Sequence, residues 1–551
     1  MQSRARSFMS LTRVWLLAVL LAPLVDAAER DAPWHLVSAD ALQGHVEFLA
    51  SDLLEGRAAA TRGYDLAATY VAAQFRQYGL TPAGDADTYL QHVPLIEATP
   101  VLPGSSARLV RDSDTIEFEY GTDYLSQADF SSASSTLTAP LVFVGYGIEA
   151  PELSFNDFEH VDVEGRIAVV ISGAPATFPN NQRAYYSSLL KKLSTLTEKG
   201  AVGVIMIDSL VDARRLPWER RVAMSWTPQM RWIGADGQPQ DAFPAIKLRF
   251  HFNQESAAAL FEQASASLEE VLAAADRGEP QGFELPGMMT LSATTGLRRT
   301  ESANVVAMIE GSDPQLKNEY VVVTAHLDHL GRGPSVEGDA IYNGAHDNAV
   351  GVAILLETAR ALTAAHIQPK RSIMFAALTA EEQGLLGSSF LVHSLREQGR
   401  TVVANLNIDM PLTQARTYDI VAFGAEHSTL GAAARRAAAA EGLRLSPDPQ
   451  PEEVVFVRSD QFSFVRHGIP ALMLHSGIQP RDESIDLLAL RRAFFAEHYH
   501  RPSDDMALPI DYEAAADLAR VQLRVLLEAA NGPRPRWRRG DFFGEVFGAK
   551  R

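Results

Sequence analysis

His326 and Asp328 stand two residues apart just past the apolar run Tyr320 to Ala325. On an extended backbone that spacing points both side chains the same way. An imidazole that ligates a cation would then have a carboxylate beside it to orient its second ring nitrogen. Further along come Asp347 at the start of a helical stretch, Glu381 and Glu382 after the apolar run Ile373 to Leu378, and Asp409 directly after Val402 to Ile408. His498-Tyr499-His500 follows in a polar loop before Pro502. Each fragment also has a purely structural explanation. Asp347 suits a helix N-cap, Thr379-Ala380-Glu381-Glu382 has the spacing of a capping box, and His500 sits in what reads as a solvated turn. Yet two adjacent carboxylates repel each other unless a cation or a proton intervenes. Asp409 is likewise a costly polar end for an apolar strand if nothing pairs with it. As a set, His326, Asp347, one of the pair Glu381 and Glu382, Asp409 and a histidine of His498-Tyr499-His500 offer nitrogen and oxygen donors suited to zinc, with cobalt or manganese as substitutes, while the other carboxylate of the pair could take a proton from water.

The elements that must position these residues alternate. The near-continuous apolar runs Tyr320 to Ala325, Ile373 to Leu378, Val402 to Ile408 and Ala471 to Leu474 suit strands buried on both faces of a sheet. Between them, Val352, Leu355, Ala359 and Leu362 recur at helical spacing over about 348–362. This pattern predicts an α/β fold with a mostly parallel mixed sheet flanked by helices, whose reactive groups gather at the carboxyl ends of the strands. An N-terminal helical part over 28–104 precedes a β-rich insert over 105–286, with strand-like runs at 140–144, 166–171 and 202–207. The α/β part occupies 287–531, and a basic tail carrying Arg534, Arg536, Arg538 and Arg539 closes the chain over 532–551, where a mobile terminus is expected.

Bulk properties narrow the class. At 551 residues the chain exceeds one core, and 46% apolar with 21% charged residues describes globular material. Arg4, Arg6 and Arg13 precede an apolar run from Val14 to Val25 that reads as a signal peptide over 1–27, so export to periplasm or medium is expected, without a stable membrane anchor. There is no cysteine, which excludes disulfides and thiolate ligands. A net charge of -19 argues against a nucleic-acid partner.

The ordered set Ala325-His326-Leu327-Asp328-His329, Asn343-Gly344-Ala345-His346-Asp347-Asn348, Glu381-Glu382, Asn407-Ile408-Asp409-Met410 and Tyr499-His500 resembles the co-catalytic di-zinc aminopeptidase family, which contains bacterial leucyl-type aminopeptidases. The segments Arg458 to Phe464 and Gly468 to Ala471 add to the likeness, and 105–285 resembles the protease-associated domain that some members carry. The resemblance implies a zinc exopeptidase fold and two Zn2+ ions bridged by Asp347, with His326 and Asp409 completing one site and Glu382 and His500 the other. It implies Glu381 as base, Asp328 as partner of His326, and Tyr499 as a donor to the developing oxyanion. The expected substrates are peptides with a free N-terminus, and the expected state is a monomer. A carboxypeptidase or dipeptidase on the same fold is the alternative, with Arg458 as a candidate for holding a free carboxylate; a glutaminyl cyclase or a receptor-like protein fits less well. His346, where relatives commonly have Asp or Asn, is not counted as a ligand, and Gln461 replaces a frequent histidine.

Overall fold

The structure is a computed structural model that describes residues 32–548 apart from 102, 103, 113 and 226. The signal peptide expected over 1–27 lies outside the described residues. Among those described, no helix is long and apolar enough to cross a membrane.

Four strands form the parallel centre of the main sheet, in the spatial order Ser372–Leu378, Glu319–His326, Thr401–Asn407 and Ala471–Ser476. Antiparallel strands flank them, Phe283–Ile309 beside Ser372–Leu378 and Asp419–Phe423 beside Ala471–Ser476, so the sheet is mixed. Leu90–Pro100 extends it beyond Phe283–Ile309. The apolar runs are continuous because both faces are covered. Val321, Val323 and Ala325 share a core with Leu355 and Leu356 of the helix Val350–Ala364 and Leu523 and Leu526 of Tyr512–Asn531. On the other face Val322, Met374 and Ala376 meet Leu391 and Val392 of the helix Leu386–Glu397 and Phe464. Each large apolar side chain so buried contributes about 1.5–3 kcal/mol.

A second sheet is built mainly from the insert. Ser134–Phe143, Ile167–Ile171, Gly203–Ile207 and Leu248–Phe252 pair in parallel, with Leu189–Glu198 and Leu268–Asp276 among the accompanying helices, so the insert is itself α/β in part. The 27-residue strand Phe283–Ile309 serves both sheets. Its first part pairs with Ser134–Phe143 and Ser106–Arg111, its later part with Leu90–Pro100 and Ser372–Leu378. The boundary expected at 286 therefore falls inside a continuous strand, whose Gly, Thr and Arg content around 294–300 forms no apolar run to mark it.

The tail departs from expectation. Trp537 donates its indole N–H to the Gly468 carbonyl (2.8 Å), the Arg536 carbonyl accepts from Thr429 N–H (2.9 Å), and Asp541 pairs with buried His427 (2.7 Å). Phe543 is fully buried, and Phe542 packs edge-on against Tyr185 of the insert. The arginines drew attention to charge, whereas the interleaved aromatic side chains fasten residues 536–547 to the α/β part.

Candidate active site

Strand adjacency assembles the site. His326 ends its strand opposite Leu378 in one neighbour, and Thr324 lies opposite Asn407 in the other. The loops that leave these three carboxyl ends therefore carry His326, Glu381 with Glu382, and Asp409 to the same level. His326 Nε2 lies 3.1 Å from Asp347 Oδ1 and 3.0 Å from Asp409 Oδ1. His500 Nε2 lies 3.4 Å from Asp347 Oδ2 and 3.1 Å from Glu382 Oε2. The two oxygens of Asp347 thus face two separate histidine–carboxylate groups. Donor atoms about 2.0–2.1 Å from a tetrahedral zinc stand about 3.3 Å apart, so these spacings suit ligands around cations. Donor atoms of His326, Asp347 and Glu382 all lie within 4.8 Å of one another, a group that could hold a metal ion.

The capping explanations do not hold. The helix Val350–Ala364 begins after Ala349, which makes no side-chain cap, and Asp347 has extended-type torsions (φ -114, ψ 84) with its carboxylate turned to the histidines. Thr379 bonds Ser302 Oγ (2.6 Å) and the next helix starts only at Leu386, so Thr379 to Glu382 forms no capping box. His500 adopts a left-handed φ of 57, and its side chain is 15% exposed, so it is not the solvated turn residue expected.

Asp328 serves differently from the reading that pairs its carboxylate with His326. The strand stops at His326, so the period-two alternation does not carry on, and His326 Nδ1 donates to the backbone carbonyl of Asp328 instead (3.0 Å). The Asp328 carboxylate accepts the N–H groups of Glu381 (3.1 Å) and Glu382 (3.3 Å), and so orients the acidic pair. Tyr499 stacks on the His500 ring at 3.8 Å between centroids. His346 is fully buried against Phe494, and burial holds it neutral with a pKa down to about 4. Gln461 bonds Asn407 Nδ2 (2.7 Å) and the Phe456 carbonyl (2.8 Å), a role inside the scaffold.

Several supporting residues escaped the sequence reading. His329 lies 2.6 Å from Glu382 Oε1 through Nδ1. Asp504 accepts the N–H groups of His346 (2.9 Å) and Asp347 (3.1 Å). Buried Arg57 donates to the carbonyls of Leu49, Leu327, Asn343 and Gly344, tying the His326 and Asp347 loops together. Asn348 bonds the Ile408 carbonyl (2.9 Å) and Met410 N–H (3.2 Å), which fixes the turn at Asp409. For His329 a signal existed, a second histidine three residues after His326; for Arg57 and Asp504 none did.

The electrostatics follow from burial and crowding. Burial disfavours charge on the histidines, but the surrounding carboxylates outweigh it: Asp409 and Glu381 hold His326 well above the usual imidazole range, and Glu382 and Asp347 hold His500 at about 10. Burial likewise opposes ionisation of Glu382, yet His500 and His329 draw it down to about 2. Glu381 is pushed well above the carboxylate range by burial, with Asp409, Glu382 and Asp460 adding repulsion. In ion-free protein at pH 7.5 both histidines are therefore protonated, whereas an imidazole ligand must be neutral. Zinc uptake should release protons, from both imidazoles and from Glu381 as the cations lower its pKa, and apparent affinity should rise with pH below about 10, by up to about tenfold per pH unit for each proton displaced. Calorimetry in buffers of different ionisation enthalpy measures this; pH-independent uptake without proton release would contradict it.

The site opens into a cavity of about 1030 Å³, walled on one side by Asp347, Glu381, Glu382, Asp409, Tyr499 and His500. Residues of the insert line it as well, including Asp208, Arg220, Arg221, Met224 and His251.

Residues 304–526, the segment carrying all five candidate ligands, match the family model described as peptidase family M28. A probable zinc metalloprotease of Pyrenophora teres f. teres is 39% identical over 107 residues, 19% of this chain and 22% of that protein. An aminopeptidase of Pseudomonas aeruginosa is 26% identical over 359 residues, 64% of this chain and 53% of that protein. The chain thus spans between about a fifth and about half of the length of these curated relatives. Among solved structures, an aminopeptidase from Aneurinibacillus sp. strain AM-1 superposes with a TM-score of 0.52 over 92% of this chain and 97% of that one, at 19% identity, and shares the fold.

Proposed function

We propose that the chain is an exported zinc aminopeptidase that removes the N-terminal residue from peptides. The observation that carries this reading is the division of Asp347 between two histidine–carboxylate groups, with Glu381 beside them at one wall of the cavity. His326, Asp347 and Asp409 would hold one cation and Asp347, Glu382 and His500 the other, and such ions would supply Lewis acidity and lower the pKa of a bound water toward neutrality. Glu381 accepts the proton of the attacking water and returns it to the leaving amine. Asp328 holds the backbone of Glu381 and Glu382 while this happens. The Tyr499 phenol, kept protonated because burial and nearby carboxylates raise its pKa, donates to the oxyanion. The acidic surroundings suit the free α-amine of a substrate, the insert is of the protease-associated type, and the monomer acts in periplasm or medium.

Free and N-blocked amino-acid amides and dipeptides test the reading, with zinc content measured on the same sample. Free-amine substrates should be cleaved and N-acetylated ones should not. Equal rates would favour the carboxypeptidase or dipeptidase alternative, for which Arg458 stands at the cavity, 3.8 Å from Glu453.

A further inference from the structure

Arg220 of the insert reaches the metal-site loop. Arg220 Nη2 donates to the backbone carbonyl of Tyr499 at 2.8 Å, the residue immediately before His500. Arg220 belongs to the short helix Trp218–Met224, which is fastened to the insert on both sides of it: Trp218 donates to the Gly121 carbonyl (3.0 Å), and Arg221 grips both oxygens of Asp208 (2.8 and 2.9 Å). Asp208 is in turn held 3.1 Å from His251 and through its carbonyl by Gln254 (2.8 Å). The guanidinium thus projects from a fixed platform, and among the described residues no carboxylate pairs with it.

Its target is the peptide whose orientation matters most. His500 has a left-handed φ of 57, a conformation a side-chain-bearing residue holds only when its surroundings impose it. Other restraints lie on either side of that peptide: Tyr499 N–H bonds the Phe494 carbonyl (2.9 Å), Arg501 N–H the His498 carbonyl (3.0 Å), and Asp504 N–H the Arg501 carbonyl (3.1 Å). Among the described residues Arg220 is the hydrogen-bond donor to the Tyr499 carbonyl, so its bond directs where that carbonyl points within the turn, and hence where the His500 ring emerges toward Glu382 and Asp347.

We infer that Arg220 is a positioning residue through which the insert completes the His500 side of the metal site, so that this half of the site depends on insert and catalytic part being docked. The inference rests on His500 being a ligand. The test is zinc titration of the full-length, metal-stripped protein by calorimetry and equilibrium dialysis. Wild type should take up two ions. Arg220→Met should leave one affinity unchanged and weaken the other roughly 10- to 100-fold, the range spanned by a hydrogen bond from a charged donor. Arg220→Lys, which keeps charge and a donor, should recover most of the loss, and saturating zinc should restore kcat in Arg220→Met. In a His500→Ala background, Arg220→Met should change nothing further. Wild-type affinities in Arg220→Met, or equal weakening of both ions with no rescue by lysine, would overturn the inference alone. Two intact affinities in His500→Ala would overturn it together with the ligand assignment.

Discussion

Glu381→Ala should retain its zinc and lose on the order of 10² to 10⁴ in turnover, the contribution usual for a positioned acid–base group. The side chain stands apart from the two histidine–carboxylate groups yet close enough for Asp409 and Glu382 to raise its pKa. Its main chain is held independently, by Asp328 Oδ1 on its N–H and by the tight turn at Ala380, whose φ is 54. Removing the carboxylate therefore leaves Glu382 in place. The sign of the pH effect follows from the same crowding. Burial and neighbouring negative charge favour the protonated, inactive form, and bound cations work the other way. In the zinc-loaded enzyme kcat/KM should fall as pH drops through the pKa of Glu381, and this limb should be missing from the residual activity of the variant. Near-normal turnover with full zinc would place the base elsewhere, and loss of zinc would make Glu381 a ligand.

The catalytic sheet was legible because burial on both faces leaves a simple trace. Tyr320 to Ala325 and Ile373 to Leu378 are uninterrupted apolar runs, and the strands coincide with them almost to the residue. The candidate ligands were legible for the related reason that each stands as a polar side chain just past such a run or before a helix. What holds them was not. Arg57 works on carbonyls 270 to 287 residues away, and Asp504 on amides 157 and 158 residues away. Nothing local distinguishes a buried arginine in Leu53-Leu54-Glu55-Gly56-Arg57 from a solvated one. The role of Asp328 was misread because a period-two argument needs the strand to continue, and it ends at His326. The long shared strand was invisible because its two halves face different sheets and so carry no single pattern. Arg220 lay hidden for a further reason: a basic residue on a polar helix is ordinary until the partner it meets is known to lie beside a candidate ligand.

Asp347→Ala should strip zinc from both positions, whereas His326→Ala or Glu382→Ala should each lose or weaken one ion. The asymmetry follows from the geometry, because among the described residues Asp347 alone turns one oxygen toward His326 (3.1 Å) and the other toward His500 (3.4 Å). Several kcal/mol of transition-state stabilisation would disappear with both cations, so activity should fall by about 10⁴ or more at 1.36 kcal/mol per tenfold. The loop itself should survive, since Asp504 binds the backbone N–H of residue 347 whatever its side chain, and Arg57 holds the preceding carbonyls. Thermal denaturation separates the contributions. The ion-free variant should melt below ion-free wild type, because the buried pairs of Asp347 with protonated His326 and His500 are lost, and added zinc should raise only the wild type, by the mass-action stabilisation of a ligand that binds the folded state. Retention of one tight zinc in Asp347→Ala would show that the two groups are filled independently and that Asp347 does not bridge them.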